Sequence, residues 1–263
     1  MLATHRSSIA GCAITLALTI YAPPALHGQS ANTSSPARKT ITVPFVGCDS
    51  DGQVGPVDAP TGDRKVVQVS AQAAQQLAYY KAEYGPGVLA PRGWYCFSTY
   101  GSNGSNLYVS PKPITSAELF SDSWKGFPHP AIQISISLGD TSGRFQVAQV
   151  IARIFPDYKK FVEQVTEEKI EPASSFPFGP YPKDKLTYRG KDIVEYVTPG
   201  NVEGLGTHSR LQMNADPISG VAILIGRTPD LLQLSMRLPK EQRDLGPIIV
   251  QQVERDAAHL DSK

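Results

Sequence analysis

The chain has 263 residues, with 25 Lys+Arg against 24 Asp+Glu and a hydrophobic content of 41%. Its formal charge of +1 is spread without any block of like charges, so no clustered cation is offered to a phosphate backbone or to anionic lipid. Nucleic acid is therefore not an expected partner, while the apolar content suffices for a core.

"MLATHR" is a short segment with one arginine and no acid, followed by the apolar run "SIAGCAITLALTIYA", then Pro23 and Pro24, then small residues at Gly28 and Ser30. That order predicts a secretory signal peptide over residues 1–28 and a mature protein that is periplasmic or extracellular. The run is short and broken by threonines, whereas a span needs about 20 apolar residues; no integral membrane span is expected in the mature chain. Cys12 sits before the apolar run rather than after it, which is the wrong side for lipidation. Removing residues 1–28 takes away Arg6 and no acid, so 24 basic and 24 acidic residues remain and the mature chain is neutral.

Residues 29–40, "QSANTSSPARKT", read as a flexible leader. "ITVPFV" and "RKVVQV" read as strands on either side of the turn-rich "GCDSDGQVGPVDAPTG". Ser70 is placed to cap a helix over 71–84, with Ala73, Leu77, Tyr80 and Tyr84 on one face and Gly85 at its end. "GWYCFSTY" and "LYVS" predict a hairpin joined by a long "GSNGSN" turn. "AIQISISL" alternates apolar and polar residues, as expected of an antiparallel strand with one buried and one wet face.

Two helices follow, "GRFQVAQVIARIF" and "DYKKFVEQVTEEK", separated at Pro156. The segment 171–184 carries four prolines and reads as a long surface loop or linker, the one place where the domain would subdivide. "KLTYRG", "DIVEYVT", "GVAILIG" and "LLQLSMRL" predict strands, and a last helix starts near Pro247 with Ile249, Val253, Ala257 and Leu260 on one side. The expected fold is α+β: a mixed, largely antiparallel sheet with about four helices, in one main domain over 41–263.

Signal removal leaves two cysteines, Cys48 and Cys96. In an oxidising compartment such a pair is expected to form a disulfide. The alternatives are a nucleophilic Cys96 or two free thiols. Cys96 lies between Tyr95 and Phe97, which raise a thiol's pKa rather than lower it, and no histidine is near in sequence.

His129, His208 and His259 show no metal-binding spacing, so neither a metal site nor a cofactor is expected. Asp49, Asp51 and Gly52 partly match a calcium loop, but Gly47 would fall at the first ligand position. No G-x-S-x-G motif is present, and "PGNVEGLGTHS" lacks the lysine of a phosphate loop. Glu203, His208 and Ser209 share that glycine-rich loop and form the candidate catalytic set of an extracytoplasmic hydrolase. Trp94, Tyr100 and Asn103 form the candidate binding set, since rings and amides stack on and hydrogen-bond a sugar or peptide. Rings at strand positions also serve as core, which is the competing explanation.

The stretches "VPFVGCDSDGQVGP" and "GVLAPRGWYCFSTYGSNG" resemble segments of exported bacterial proteins that carry no assigned activity. The resemblance covers mainly residues 42–110. It implies a bacterial, extracytoplasmic origin and transfers no site residue. The reading that results is an exported binding, structural or accessory protein with one disulfide and an unknown partner; the alternative is the hydrolase on the 200–210 loop.

Overall fold

The computed structural model describes residues 39–260, so the expected signal peptide and the expected leader up to Arg38 lie outside the described residues. The first half of the described chain forms β1 (Lys39–Gly47), β2 (Ser50–Gly52), β3 (Arg64–Val69), α1 (Ala71–Gln76), β4 (Leu77–Lys81), β5 (Val88–Pro91), β6 (Tyr95–Gly101) and β7 (Gly104–Ser110). The second half forms α2 (Ser116–Leu119), β8 (Ala131–Ser137), α3 (Arg144–Ile154), α4 (Lys159–Glu167), β9 (Lys185–Tyr188), β10 (Ile193–Thr198), β11 (Ile218–Ile225), β12 (Asp230–Arg237) and α5 (Gly246–Leu260). The fold is α+β. A four-stranded sheet has the order β3-β1-β4-β5, and an eight-stranded sheet the order β2-β6-β7-β8-β12-β11-β10-β9. Only β1 with β4 and β2 with β6 pair in parallel; every other pairing is antiparallel. Five α-helices stand against the four expected, because α2 is a single turn of four residues.

The helix expected over 71–84 stops early. Ser70 does cap it, its Oγ accepting from the Ala73 amide at 3.1 Å, but the chain turns extended at Leu77. Leu77, Ala78, Tyr79 and Tyr80 are all buried, which a half-wet amphipathic helix would not achieve. A strand paired on both edges, by β1 and by β5, satisfies the backbone of this run, and its side chains join the core cluster that includes β7, β8, β12 and α5. The Tyr80 hydroxyl donates to the Pro91 carbonyl at 2.7 Å, and burial pushes its pKa up to about 12. The β6–β7 hairpin also differs from expectation. Gly101 pairs with Gly104, so the reversal has only Ser102 and Asn103 at its tip, with Gly104 at φ +132°.

The faces of the eight-stranded sheet are used differently. Leu107 and Val109 of β7, Ile132 and Ile134 of β8, and Leu232, Leu234 and Met236 of β12 point to one side. There they pack with the four-stranded sheet and with Ile249, Val250 and Val253 of α5. The Cys48–Cys96 disulfide crosses this layer, with a Cα–Cα distance of 5.4 Å. Cys48 follows β1 and Cys96 lies on β6, so the bond ties one sheet to the other.

On the opposite face, α3 and α4 cover the β10–β12 end through Val147, Ile151, Val162 and Val165. Phe176 and Tyr181 of the proline-rich 171–184 segment are buried in the same cluster, so that segment is packed onto the domain. The β6–β8 end of this face is not covered by helices, and it forms the site described next.

Candidate functional site

Side chains alternate across a strand, so the residues opposite the dry core on β7, β8 and β12 share one surface. Register lines them up in two rungs. One rung runs Thr99–Asn106–Ser135–Gln233, and the next runs Phe97–Tyr108–Gln133–Ser235. Apart from the two rings, these positions carry amides and hydroxyls. They floor a cavity of about 440 Å³, within the usual size range of small-molecule sites.

The floor is preorganised by its own hydrogen bonds. Gln133 is only 9% exposed; its Nε2 donates to Asn106 Oδ1 at 3.0 Å, and its Oε1 accepts from the Arg210 amide at 2.7 Å. Gln233 Nε2 reaches the Tyr196 hydroxyl at 3.4 Å. That hydroxyl donates to the Leu234 carbonyl at 2.7 Å and accepts from Ser235 Oγ at 2.6 Å. Tyr196 crosses over Gly220, where a Cβ would stand 2.6 Å from the phenol oxygen, so only glycine lets the ring pass. With these bonds made, Asn106 Nδ2 and Gln233 Oε1 have no partner among the described residues. A donor and an acceptor are thus left for a guest.

Two walls stand over the floor. Trp124 belongs to a small apolar cluster with Tyr108, Phe127 and Leu211, its ring 5.3 Å from Phe127 and 6.1 Å from Tyr108. The facing wall is the 203–210 segment. Phe127 and Leu211 form a parallel bridge, and the buried Arg237 donates to the carbonyls of Phe127 (3.4 Å) and Gln212. Arg237, on the same face of β12 as Gln233 and Ser235, therefore ties together the backbones at Phe127 and Gln212, beside the two walls. Arg210 lies over the Trp124 ring, 5.5 Å from its centroid, and is the only residue of permanent charge lining this cavity. Burial raises the Tyr108 hydroxyl, while Thr99 and Arg210 beside it act in the opposite direction.

The glycine-rich loop is pinned. Asp184 accepts from Thr198 Oγ1 at 2.7 Å and from the Leu205 amide at 2.8 Å, and Thr198 Oγ1 accepts from the Gly206 amide at 2.9 Å. Gly204 and Gly206 are there for close packing, since a Cβ at Gly206 would stand 2.7 Å from Ile218. Of the candidate catalytic set, Glu203 and His208 meet, with Glu203 Oε1 3.2 Å from His208 Nε2. The same nitrogen lies 2.5 Å from the Tyr181 hydroxyl. Ser209 is tied elsewhere: its Oγ donates to the Gly206 carbonyl at 2.6 Å and accepts from the Leu211 amide at 3.2 Å.

The candidate binding set falls in three places. Asn103 reaches the cavity rim. Trp94 packs against the dry core, and Tyr100 stacks on Tyr84 at 4.6 Å while its hydroxyl donates to the Gly55 carbonyl at 2.6 Å. Asp49 accepts from the Ala59 amide at 2.9 Å, and Asp51 from the Gly52 amide (2.8 Å) and the Ser116 hydroxyl (2.7 Å), which is turn chemistry. Among the described residues no cluster of three or more His, Cys, Asp or Glu is arranged to hold a metal ion.

Gln133, Gln233 and Arg210 escaped the sequence reading as site residues. Their signal was present: Gln233 and Ser235 interrupt "LLQLSMRL" at alternate positions, as Gln133 and Ser135 interrupt "AIQISISL". These features define an α+β protein with an amide-floored cavity on the open end of its larger sheet. Comparisons with family models, with curated proteins and with solved structures each return no match. No helix among the described residues is long and apolar enough to cross a membrane.

Proposed function

We propose that this is an exported bacterial binding protein, fastened by one disulfide, whose sheet-floored cavity takes a sugar unit. The observation that carries the reading is the pair of rungs on β6, β7, β8 and β12: neutral amides and hydroxyls, prepositioned, facing an indole wall. A pyranose has hydroxyls that pair with amides and a C–H face that packs on an aromatic ring. No carboxylate lines this cavity, which disfavours a cationic guest. Export is supported by the order of residues 1–28, by the resemblance of residues 43–56 and 87–104 to exported bacterial proteins, and by a cysteine pair of the kind that persists in oxidising compartments.

Hydrolysis on the 203–209 loop has less support. His208 Nε2 faces Tyr181 and Glu203, and the Ser209 hydroxyl is spent on the Gly206 carbonyl.

The chain has two tryptophans, so Trp94→Phe leaves Trp124 as the sole indole at the cavity wall. Neutral and acidic oligosaccharides, first screened on a glycan array, are titrated against its fluorescence. A saturable change is expected for at least one of them, with Gln133→Met weakening it about tenfold or more by removing the bonds that set the floor. No array signal and no fluorescence response would remove the reading.

A further inference from the structure

Resting on that reading, we infer that the guest is a carboxylate-bearing oligosaccharide, held at Arg210 and extending into a second cavity. A neighbouring cavity of about 230 Å³ shares Gln146 and His208 with the first. Two pockets with common wall residues suit a chain of sugar units rather than a single ring. The charge pattern says what kind of chain. Arg210 has no carboxylate partner among the ion pairs of the described residues, and its guanidinium carbon stands 5.5 Å from the centre of the Trp124 ring, beside the Tyr108 hydroxyl. A guanidinium carries five N–H donors in a planar fork, so contact with one ring and one hydroxyl leaves donors to grip a carboxylate.

The second cavity repeats the device. The guanidinium of Arg153 stands over Tyr181, 4.1 Å from its centroid, donates through Nη1 to the Gly179 carbonyl at 3.2 Å, and has no acidic partner among the ion pairs of the described residues. The one carboxylate lining that cavity, Glu203, is turned to His208 Nε2 at 3.2 Å. A neutral guest would use neither charge. A guest with a carboxylate on successive units supplies one to each.

The test uses the full mature chain and three probes, a trigalacturonate, a trimannuronate and a hyaluronan tetrasaccharide, each beside its carboxyl-reduced counterpart. Calorimetry and Trp124 fluorescence read the affinities. At least one acidic probe is expected to bind at least tenfold tighter than its reduced form, with added salt narrowing the gap. Arg210→Gln is expected to abolish the difference, Arg153→Gln to halve it on a logarithmic scale, and Arg153→Lys to restore part of it with an unchanged thermal midpoint. Equal binding of acidic and reduced forms overturns the charge assignment and leaves the sugar site standing. Failure of all six probes, with array-identified neutral sugars still bound, also overturns it. Failure of every sugar removes both readings.

Discussion

The two faces of β7, β8 and β12 are built from the same strands and do opposite things. One face presents Leu107, Ile132, Ile134, Leu232 and Leu234, closed against a second sheet and α5. The other presents Asn106, Gln133, Ser135, Gln233 and Ser235, nearly as buried at Gln133 (9%) and Gln233 (7%), yet left with an opening. Apolar side chains gain by being covered from any direction, whereas buried amides are stable only when each donor and acceptor has a partner. The first face therefore makes a core that tolerates repacking. The second makes a fixed array whose unused groups are those the proposed sugar would meet.

The comparison can be broken at its dry side first. Cys48→Ser with Cys96→Ser removes the disulfide that ties the sheets together, closing a separation of 48 residues; chain-entropy reasoning puts the loss at about 4 kcal/mol at most. Denaturant titration checks it. Leu234→Ala, at a position with 0% exposure, is expected to cost roughly 3 kcal/mol while sugar affinity in the folded fraction stays within about twofold. Gln133→Met should show the reverse, a small change in stability and a large loss of binding. If Leu234→Ala and Gln133→Met affect both quantities alike, the two faces are not separate in function.

The smallest effect is alkaline. Burial holds the Tyr196 hydroxyl, beside Gln233 and Ser235 at the edge of the cavity floor, up at about 12, and Tyr80 in the dry core likewise. An unfolded tyrosine ionises near pH 10. The folded state favours the neutral phenol, so this stabilisation is complete below about pH 10 and is lost as pH rises through about 12. Thermal midpoints followed with tyrosinate absorbance should hold to about pH 10 and then fall, the two residues ionising only with unfolding. Ionisation of Tyr196 in the folded protein near pH 10 would mean that water reaches the buried edge of the floor.

Most strands were legible because their alternation or their apolar runs are strong: β8, β10, β11 and β12 fall where periodicity puts them. The 71–84 segment misled because "AQAAQQLAYY" satisfies both periods, and only β1 and β5, distant in sequence, decide in favour of a strand from Leu77. The cysteine pairing was legible from count and compartment. The cavity was half legible. "AIQISISL" announced a polar face, but that it sits beside the polar face of β12 depends on strand order, which no local pattern encodes. The 203–209 loop drew attention for its glycines, whose work is to let Ile218 and Thr198 approach.

Strand order also governs when the protein becomes itself. β12, the last strand among the described residues, lies between β8 and β11, so the larger sheet stays in two pieces until residues 230–237 insert. Gln233 and Ser235 travel on that strand, so a polypeptide cut before Asp230 would keep Asn106 and Gln133 and lose the other half of the floor.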